Sequence, residues 1–494
     1  MFFGRRDAIQ KLEELRSKNV ASLVTCRGRR RIGKSTLIEE FARQSEARFI
    51  KIEGIRPTAH TTNEQEIANF CGQLANQTTA ERSVAPDWLS AFIRLDKELD
   101  ERFTVVLLDE ISWMGGKDAL FADYLKIAWD NHWKKHERLI LVLCGSVSSW
   151  IKDNVIDNSA FYGRRSTDLV VRELPLNECV KFWQAKLGRI DIHEIIDVLS
   201  VTGGVPRYLE EVNPSLSAEE NICRLCFRPD GLLRVDFGEM FNDVITRQPN
   251  FTGRVLRSLV DGPKTAAEVA RHLGIEVGGR ISDALASLEE AGIVRDDSGI
   301  NPETGDEMRE RRHRLSDNYS RFYLKCIEPN RKAIDSGSYE FVGLRALEEY
   351  DGIMGFQFEN LVINNYRELI PFLHLDGSLI TSAVPYCRRG SEKKRGRKGC
   401  QVDLLIQTRG AQYFVEVKHQ REIDRRVITE VDEKVRAIRR PNGVSARTAL
   451  VYEGQLSPLV EADGYFDAII PFRKLLETDS GEGAVFASPT NRGA

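Results

Sequence analysis

The first half of the chain alternates short apolar runs with stretches whose apolar residues recur every three or four positions. The apolar runs lie at residues 23–26, 105–108 and 139–144, and each is typical of a strand buried in a parallel sheet. Residues 9–15 and 37–41 instead have the spacing of an amphipathic helix. This alternation predicts an α/β fold built on a parallel sheet.

Beyond residue 250 the pattern changes twice. Three short helical stretches, VLRSLVDG, TAAEVARHLG and GRISDALASLEEAG, are followed by a short strand, which predicts a winged helix. From about residue 338 a helix, GFQFENLVINNYREL, precedes the alternating strands GCQVDLLIQT and AQYFVEVKHQ. We therefore predict a parallel-sheet domain with a helical lid in residues 1–245, a winged helix and connector in 246–335, and a second α/β domain in 336–494.

A glycine turn separates the first predicted strand from the next helix. Gly28, Gly33, Lys34 and Ser35 match the pattern G-x-x-x-x-G-K-[ST] in full. Without Cβ atoms the backbone can wrap closely around a phosphate, and the unpaired N–H groups and dipole of the new helix favour its negative charge. The match predicts a nucleotide site in which Lys34 meets the β and γ phosphates and Ser35 holds Mg²⁺. A plain strand–turn–helix is the alternative.

Two carboxylates, Asp109 and Glu110, end the second apolar run, VVLLDE. Ligands of parallel α/β sheets bind at the carboxyl ends of the strands. We predict that Asp109 joins the Mg²⁺ shell and that Glu110 orients and deprotonates the attacking water. The alternative is an acidic strand end that only begins a loop.

Two further candidates lie downstream. The third apolar run ends in LCGSVSS, and Ser146 is the candidate sensor of the γ-phosphate or the water, with a structural turn as the alternative. The segment FYGRR then places Arg164 and Arg165 behind a glycine. An arginine aimed at a transferring phosphoryl group, from the same or a neighbouring chain, speeds hydrolysis, whereas paired surface arginines are common.

The ordered segments FFGRRDAIQKL, GRRRIGKST, VVLLDE, LCGS, FYGRR and GGVPRYL resemble the archaeal-type ATPase family, a branch of the AAA+ and STAND P-loop NTPases, across roughly residues 1–245. The resemblance implies an oligomeric ATPase that uses ATP and Mg²⁺. The contacts it implies are a nucleoside site at Gly4 and Arg5, a phosphate site at Gly33, Lys34, Ser35 and Thr36, Mg²⁺ and water activation at Asp109 and Glu110, sensing at Ser146, a trans-acting or sensor arginine at Arg164, and a base-side sensing helix marked by Pro206.

In the last domain Asp403 ends one stretch of alternating apolar and polar residues. Glu416 and Lys418 share one face of the next predicted strand, FVEVK. Two carboxylates can hold Mg²⁺ against a scissile phosphate, and a lysine can position or deprotonate the attacking water. With Glu359 on the preceding helix, these residues resemble the PD-(D/E)XK nuclease fold. The resemblance implies a restriction-nuclease-like α/β domain that holds Mg²⁺ or Mn²⁺ at Glu359, Asp403 and Glu416. An inactive nuclease-like fold or a salt-bridged hairpin is the alternative.

Candidate contacts with nucleic acid lie in two places. The segment CRRGSEKKRGRKGC predicts a flexible arm that neutralises nucleic-acid phosphates, with a solvated loop as the alternative. Its seven cations are Arg388, Arg389, Lys393, Lys394, Arg395, Arg397 and Lys398. Arg280 begins the third helix of the predicted winged helix, but Asp283 and Glu289 make that helix acidic, so DNA contact and a structural lid both stay open.

Composition sets limits on these interpretations. A chain of 494 residues is too long for one core, and a net charge of −3 means that any basic patch is local. The start, MFFGRRDAIQKLEEL, lacks the apolar core of a signal peptide, the apolar runs are too short to span a bilayer, and nine cysteines suit reduced thiols. We expect a cytoplasmic protein with no membrane partner.

The sequence as a whole predicts an ATP-dependent, oligomeric protein that acts on nucleic acid, DNA foremost, through a metal-dependent nuclease, with defence or mobile-element control as the biological hypothesis. One alternative is a STAND-type switch in which slow nucleotide turnover controls assembly. The other is a DNA- or partner-binding ATPase whose nuclease fold is inactive.

Overall fold

The structure is a computed structural model of the chain. It describes residues 2–58, 60–116, 118–145, 148–186, 189–244, 249–308, 310–339, 343–344, 347, 350–388 and 399–477. The chain divides into two compact units. The first comprises Met1–Glu173 with Asn242–Thr246 and Glu290–Gly292, and the second contains the remainder.

A five-stranded parallel sheet forms the centre of the first unit. Its strands are β1 (Ser22–Arg27), β2 (Arg48–Glu53), β3 (Thr104–Asp109), β4 (Leu139–Gly145) and β5 (Arg165–Val170). They lie in the order β2-β3-β4-β1-β5, and every neighbouring pair is parallel. Because β3 and β4 are buried along their whole length, their sequences are continuous apolar runs. The predicted α/β fold with a parallel sheet is confirmed.

Helices connect these strands, and local sequence sets where several of them begin. They are α1 (Arg6–Ser17), α2 (Lys34–Gln44), α3 (Asn63–Gln77), α4 (Trp88–Lys97), α5 (Ile111–Gly115), α6 (Phe121–Asn131) and α7 (Ser148–Ile151). The Thr62 hydroxyl accepts a hydrogen bond from the Gln65 amide, and the Gln65 side chain accepts one from the Thr62 amide in return. Such caps satisfy N–H groups that the first turn of a helix leaves unpaired.

Aromatic rings fill the core between α3, α4 and α6. Phe70, Trp88, Phe92, Phe121 and Trp133 are at most 1% exposed. Neighbouring ring centroids lie 4.7–5.7 Å apart, mostly edge to face, as the quadrupoles of aromatic rings favour. The same core includes apolar side chains of β3, so it holds in place the strand that carries the predicted carboxylates at its end.

The second unit begins with a helical region and continues through two sheets. Its helices are α8 (Leu176–Cys179), α9 (Ile192–Thr202), α10 (Pro206–Leu209), α11 (Ala218–Cys226), α12 (Leu232–Val244), α13 (Pro249–Ser258), α14 (Ala266–Leu273), α15 (Gly279–Glu290), α16 (Asn318–Phe322), α17 (Arg331–Asp335), α18 (Tyr350–Asn364), α19 (Arg426–Ala437) and α20 (Pro458–Ala462).

The first of these sheets is small and antiparallel. Its strands β6 (Lys264–Thr265), β7 (Val294–Asp296) and β8 (Arg312–Leu315) lie in the order β6-β8-β7. They follow and interleave with α13, α14 and α15, so the predicted three helices and a short strand occur in the predicted order. Their interpretation as a DNA-binding or structural winged helix stays a prediction.

A buried polar network joins α9, α16 and α18. The Asn318 side-chain amide donates to the carbonyls of Ser200 and Gln357, at 3.0 Å each. The Gln357 amide in turn donates to Ser200 at 2.8 Å and to the Asn318 carbonyl at 2.7 Å. Buried amides are expensive unless bonded, so this network fixes the three helices against one another. It crosses both predicted domain boundaries, which themselves stay a prediction.

A mixed five-stranded sheet closes the second unit. Its strands are β9 (Ile380–Arg388), β10 (Cys400–Thr408), β11 (Ala411–Ile423), β12 (Ser445–Leu456) and β13 (Ala468–Pro471). The order is β13-β12-β11-β10-β9, with antiparallel pairing from β9 to β11 and parallel pairing from β11 to β13. Helices α18 and α19 both pack on β10 and β11. The predicted hairpin at the C-terminal candidate site is therefore β10 and β11.

Two sequence-based expectations concern what the chain lacks. Within the described ranges, no helix is both long and apolar enough to cross a membrane. No disulfide joins the nine cysteines, all of which lie in the described part of the chain.

The backbone at Gly28 generates a prediction about the stability of the first unit. Its φ is +157°, and a Cβ atom there would lie 2.2 Å from the Val171 carbonyl oxygen. We expect Gly28→Ala to lower the free energy of unfolding by about 1–3 kcal/mol because β1 and the chain after β5 must separate. Denaturant unfolding followed by tryptophan fluorescence measures this.

The matched control is Gly72→Ala in α3, where a Cβ atom meets nothing within 4 Å. Alanine in a helix interior should leave the midpoint unchanged or raise it. Equal midpoints for Gly28→Ala and the parent protein would contradict the proposed clash.

Candidate functional site

The loop between β1 and α2 is shaped by left-handed backbone conformations. Arg31 has φ +66°, and Gly33, directly before α2, has φ +83°. Lys34 is only 6% exposed, and its ammonium donates to the carbonyls of Gly28 and Arg29 at 3.1 Å each. The loop thus curls around the lysine that the motif assigns to phosphates, and the lysine is satisfied by carbonyls of its own loop.

The serine and the first carboxylate of the predicted Mg²⁺ site meet directly. The Ser35 hydroxyl donates to Asp109 Oδ2 at 2.6 Å, although 74 residues separate them in the chain. Asp109 is 4% exposed at the end of β3. A hydroxyl and a carboxylate are hard oxygen donors of the kind Mg²⁺ takes, so the two residues fit that ion. The structure therefore brings these two predicted ligands together.

Glu110 follows in a strained conformation. Its φ of +49° is left-handed, which is uncommon for a residue with a long side chain, and it directly precedes α5. Its carbonyl oxygen lies close to Gly54. A Cβ atom added to Gly54 would be 2.9 Å from the Glu110 carbonyl oxygen. Backbone strain of this kind is frequent at functional sites.

One charged residue beside Asp109 was missed by the sequence analysis. Lys51 on β2 lies with its ammonium 3.6 Å from Asp109 Oδ2 and 2.9 Å from Glu39. Burial, followed by the charge of Asp109, raises the pKa of Glu53 on the same strand. Only the pairing of β2 with β3 brings these residues to Asp109, so no local sequence signal marks them.

The predicted nucleoside contacts lie at a turn that is tied to the phosphate loop. Gly4 and Arg5 both have positive φ, and the Arg5 guanidinium donates to the carbonyl of Ile32 at 2.9 Å and to that of Arg172. Arg5 thus braces the loop through backbone carbonyls. Thr36, in the first turn of α2, is exposed.

Three further candidates from the first predicted domain are Arg164, Ser146 and Pro206. Arg164 pairs with Asp130 in a bidentate arrangement, with N–O distances of 2.7 and 2.9 Å. This pairing, ahead of the cost of burial, lowers the pKa of Asp130. Ser146 lies outside the described residues. Pro206 occupies the first position of α10 in the second unit, where proline is favoured because that position needs no N–H donor.

In the second unit the structure brings together the predicted C-terminal residues. Asp403 on β10 and Glu416 on β11 are 8% and 3% exposed. The Val417 amide donates to Asp403 Oδ2 at 2.9 Å, so the backbone of β11 holds the Asp403 carboxylate beside Glu416. Lys418 Nζ is 3.0 Å from Glu416 Oε1, as the shared face predicted. It is also 2.8 Å from Glu430 on α19.

The pKa values indicate that a third carboxylate faces the same place. Burial and the charge of Glu416 raise the pKa of Asp403 to about 6. Burial and the charge of Asp403 raise the pKa of Glu359 to about 7, against the opposing effect of Arg321 and Arg314. The charge of Asp403 thus reaches Glu359 on α18, and the role of Glu359 as a metal ligand stays a prediction.

A second lysine, Lys434 on α19, was missed by the sequence analysis. Its ammonium forms an ion pair with Glu416 Oε2 and lies 3.8 Å from Asp403 Oδ1. The spacing of Val427, Val431 and Lys434 could have indicated this lysine. The three residues lie on one face of α19, and the two valines of that face are buried.

The carboxylates Asp403 and Glu416 offer part of a metal site. Among the described residues, no three His, Cys, Asp or Glu side chains are arranged so that they could hold a metal ion. Asp403 and Glu416 are nevertheless hard oxygen donors, and the Lys434 ammonium already bridges them as a stand-in cation. The pair fits a divalent ion with further oxygen ligands from outside the side-chain cluster.

Of the seven predicted cations, only Arg388 lies among the described residues. Its guanidinium donates to Glu303 and to the Ala437 carbonyl, each at 2.8 Å. Arg388 is therefore built into the end of β9, and the predicted arm lies outside the described residues. At the predicted winged helix, the Arg280 guanidinium carbon lies 4.0 Å from the centre of the Phe251 ring, a cation–π contact within the fold.

Comparison with known proteins concerns mainly the N-terminal half. Residues 2–212 match the family described as an ATPase domain predominantly from Archaea, which supports an ATPase domain in this part of the chain. An uncharacterized protein of Methanocaldococcus jannaschii is 22% identical over 383 residues, which are 76% of this chain and 80% of that protein.

Two solved structures are similar to this chain. A Walker-type ATPase of Pyrococcus abyssi is 18% identical with a TM-score of 0.48, covering 65% of this chain and 96% of that one. The ORC2 protein of Aeropyrum pernix, in ADPNP and ADP complexes, is 14% identical with a TM-score of 0.41, covering 68% and 94%.

The Arg164–Asp130 pair generates a prediction. Its side chains are 30% and 25% exposed, so we expect Arg164→Gln and Asp130→Asn each to lower the denaturation midpoint slightly, with the double variant no worse than either. Denaturant unfolding of all four proteins measures the coupling.

ATP hydrolysis by the same variants tests the second role of Arg164. Loss of hydrolysis in Arg164→Gln, with normal hydrolysis in Asp130→Asn, would mean that the arginine acts on nucleotide and not only on Asp130. Fully additive stability losses would show that the pair contributes no stability of its own.

Proposed function

We propose that this chain couples ATP binding and hydrolysis in its N-terminal domain to metal-dependent cleavage of nucleic acid, DNA foremost, at the C-terminal sheet. The observation that carries the second half is the pair of nearly buried carboxylates, Asp403 and Glu416, held side by side with two lysines against them. Buried charges are costly unless they are paired or bind a metal ion, and a buried cluster of perturbed carboxylates is a candidate functional site.

The proposed roles at the nucleotide site follow from the contacts of the loop. Lys34 exchanges its two carbonyl partners for the β and γ phosphates of ATP, because charged oxygens are stronger acceptors than carbonyls. Ser35 and Asp109 hold Mg²⁺, which when bound offsets the charge of the phosphates. Glu110, which follows Asp109 in a left-handed backbone conformation, takes the proton of the attacking water.

At the C-terminal site the carboxylates and the lysines have different proposed roles. Asp403 and Glu416 hold Mg²⁺ or Mn²⁺, which when bound polarises the scissile phosphate. Burial would lower the pKa of Lys418, but Glu430 and Glu416 outweigh it and raise that pKa, so this lysine stays protonated at neutral pH. Lys418 is therefore a positioning cation for the phosphate or the water, rather than the base.

A homo-oligomer and a nucleic-acid partner are part of this proposal. They are supported by the resemblance of the N-terminal segments to oligomeric ATPases and by the basic composition of residues 388–398. In this proposal Arg164 leaves Asp130 when a neighbouring subunit presents its nucleotide.

The first prediction of this proposal concerns ATP. We expect Lys34→Ala to lose ATP binding and Glu110→Gln to retain ATP but hydrolyse it at least about 100-fold more slowly, because only the second variant keeps the phosphate and Mg²⁺ contacts. Calorimetry measures binding and phosphate release measures turnover. Lys11→Ala, on the surface of α1, is the control for loss of a lysine charge.

Tight ATP binding by Lys34→Ala, or normal hydrolysis by Glu110→Gln, would contradict these assignments. A change of oligomer size with ATP and almost no turnover in the parent protein would favour the STAND-type switch.

The second prediction concerns the nuclease. We expect the chain to cut DNA only with Mg²⁺ or Mn²⁺, to stop with a chelator, and to lose activity by orders of magnitude in Asp403→Asn, because an amide removes one ligand charge. Gel assays on plasmid DNA and on RNA measure cutting. Asp424→Asn, an exposed carboxylate paired with Arg426 in the same unit, is the control and should cut normally.

If the protein with ATP and Mn²⁺ cuts neither DNA nor RNA, or if Asp403→Asn cuts as well as Asp424→Asn, the nuclease proposal is wrong. The DNA- or partner-binding ATPase with an inactive nuclease fold then takes its place.

A further inference from the structure

Charges alternate along a continuous chain of side chains at the C-terminal site. Glu430, Lys418, Glu416, Lys434 and Asp403 follow one another with opposite signs. Lys418 contacts Oε1 of Glu416, and Lys434 contacts Oε2. Of the two lysines, Lys434 is the one whose ammonium reaches both carboxylates of the proposed metal site.

The position of the Lys434 ammonium is the one that a cation shared by the two carboxylates would take. Glu416 and Asp403 side chains are 4% and 11% exposed, so two negative charges lie close together with little water to screen them. The Lys434 ammonium forms an ion pair with Glu416 Oε2 and lies 3.8 Å from Asp403 Oδ1, so its positive charge offsets theirs.

An ammonium and a metal ion cannot both be bound by Glu416 Oε2 and lie between the same two carboxylates. The position of Lys434 on α19 also lets its side chain move away from the carboxylates. Lys434 is 22% exposed and lies one turn before the end of α19, so its side chain can swing toward solvent while Val427 and Val431 keep the helix on the sheet.

We propose that Lys434 is an internal counter-ion that occupies the cation position between Asp403 and Glu416 and must leave it before a divalent metal binds. This inference rests on the proposed function, since it concerns the same carboxylates. It makes Lys434 a positioning residue. Metal and nucleic acid should then bind cooperatively, because a backbone phosphate near the site gives the displaced ammonium a new partner.

The first experiment measures Mn²⁺ affinity of the full chain by calorimetry without nucleotide or nucleic acid. We expect Lys434→Met, which keeps the length of the side chain and removes its charge, to bind Mn²⁺ at least about tenfold more tightly than the parent protein, because no cation has to be displaced. Lys434→Arg keeps the charge and should not show this gain. Lys325→Met, which removes a lysine paired with Asp261 elsewhere in the second unit, is the control and should match the parent.

Ions bound elsewhere are subtracted with the double variant Asp403→Asn, Glu416→Gln, which lacks the proposed ligands. Equal or weaker Mn²⁺ binding at the pair in Lys434→Met would overturn the inference. This readout does not need cleavage. If Lys434→Met binds Mn²⁺ more tightly but no protein cuts nucleic acid, the inference holds and the nuclease proposal is wrong. If the parent protein cuts with metal but Lys434→Met binds Mn²⁺ no more tightly, the nuclease proposal holds and the inference is wrong.

A second measurement uses the parent protein and so does not depend on a variant that folds. Lysine acetylation followed by mass spectrometry reports how accessible each ammonium is. We expect Mn²⁺ to raise the acetylation rate of Lys434 and to leave that of Lys325 unchanged. An unchanged rate at Lys434 while Mn²⁺ is bound at the carboxylates would overturn the inference.

Discussion

The cost of burying a carboxylate dictates much of what surrounds both candidate sites. Asp109 is 4% exposed and Asp403 is 8% exposed, and a charged group so placed is stable only if hydrogen bonds or opposite charges replace its water. At Asp109 the Ser35 hydroxyl and the Lys51 ammonium do this. At Asp403 the Val417 amide and the Lys434 ammonium do it. In both sites a hydrogen-bond donor and a lysine ammonium stabilise the buried carboxylate, although the two sites lie on different sheets.

The two sites differ in how much of each a local motif encodes. The loop of the first site supplies Lys34 and Ser35 from consecutive positions, after the left-handed Gly33 that precedes α2, and only the Lys51 charge beside Asp109 comes from a distant strand. The second site draws its cations from a strand and a helix, Lys418 on β11 and Lys434 on α19. A local motif can therefore encode the first arrangement, whereas the second exists only once α19 has packed on the sheet.

This difference explains how much could be predicted from the sequence. The buried strands β3 and β4, the loop contacts of Ser35 with Asp109, and the shared face of Glu416 and Lys418 followed from periodicity and motif spacing. Lys51 and Lys434 did not, because each reaches its carboxylate through pairing between elements distant in the chain. The contacts of Arg5 and Arg388 with backbone carbonyls could not be predicted either, and the ligand-binding roles of both residues stay predictions. Composition cannot distinguish a bracing arginine from a binding one.

The cluster also limits which group can remove a proton at the C-terminal site. A lysine acts as a base only if its surroundings lower its pKa toward neutrality, usually by burial beside another cation. Here burial acts in that direction, but Glu416 lies against both lysines and the pKa of each is raised. Lys418 and Lys434 consequently serve as cations that hold carboxylates or phosphates in position. Between the two roles that the sequence left open for Lys418, the electrostatics of the cluster favour positioning over deprotonation of the water.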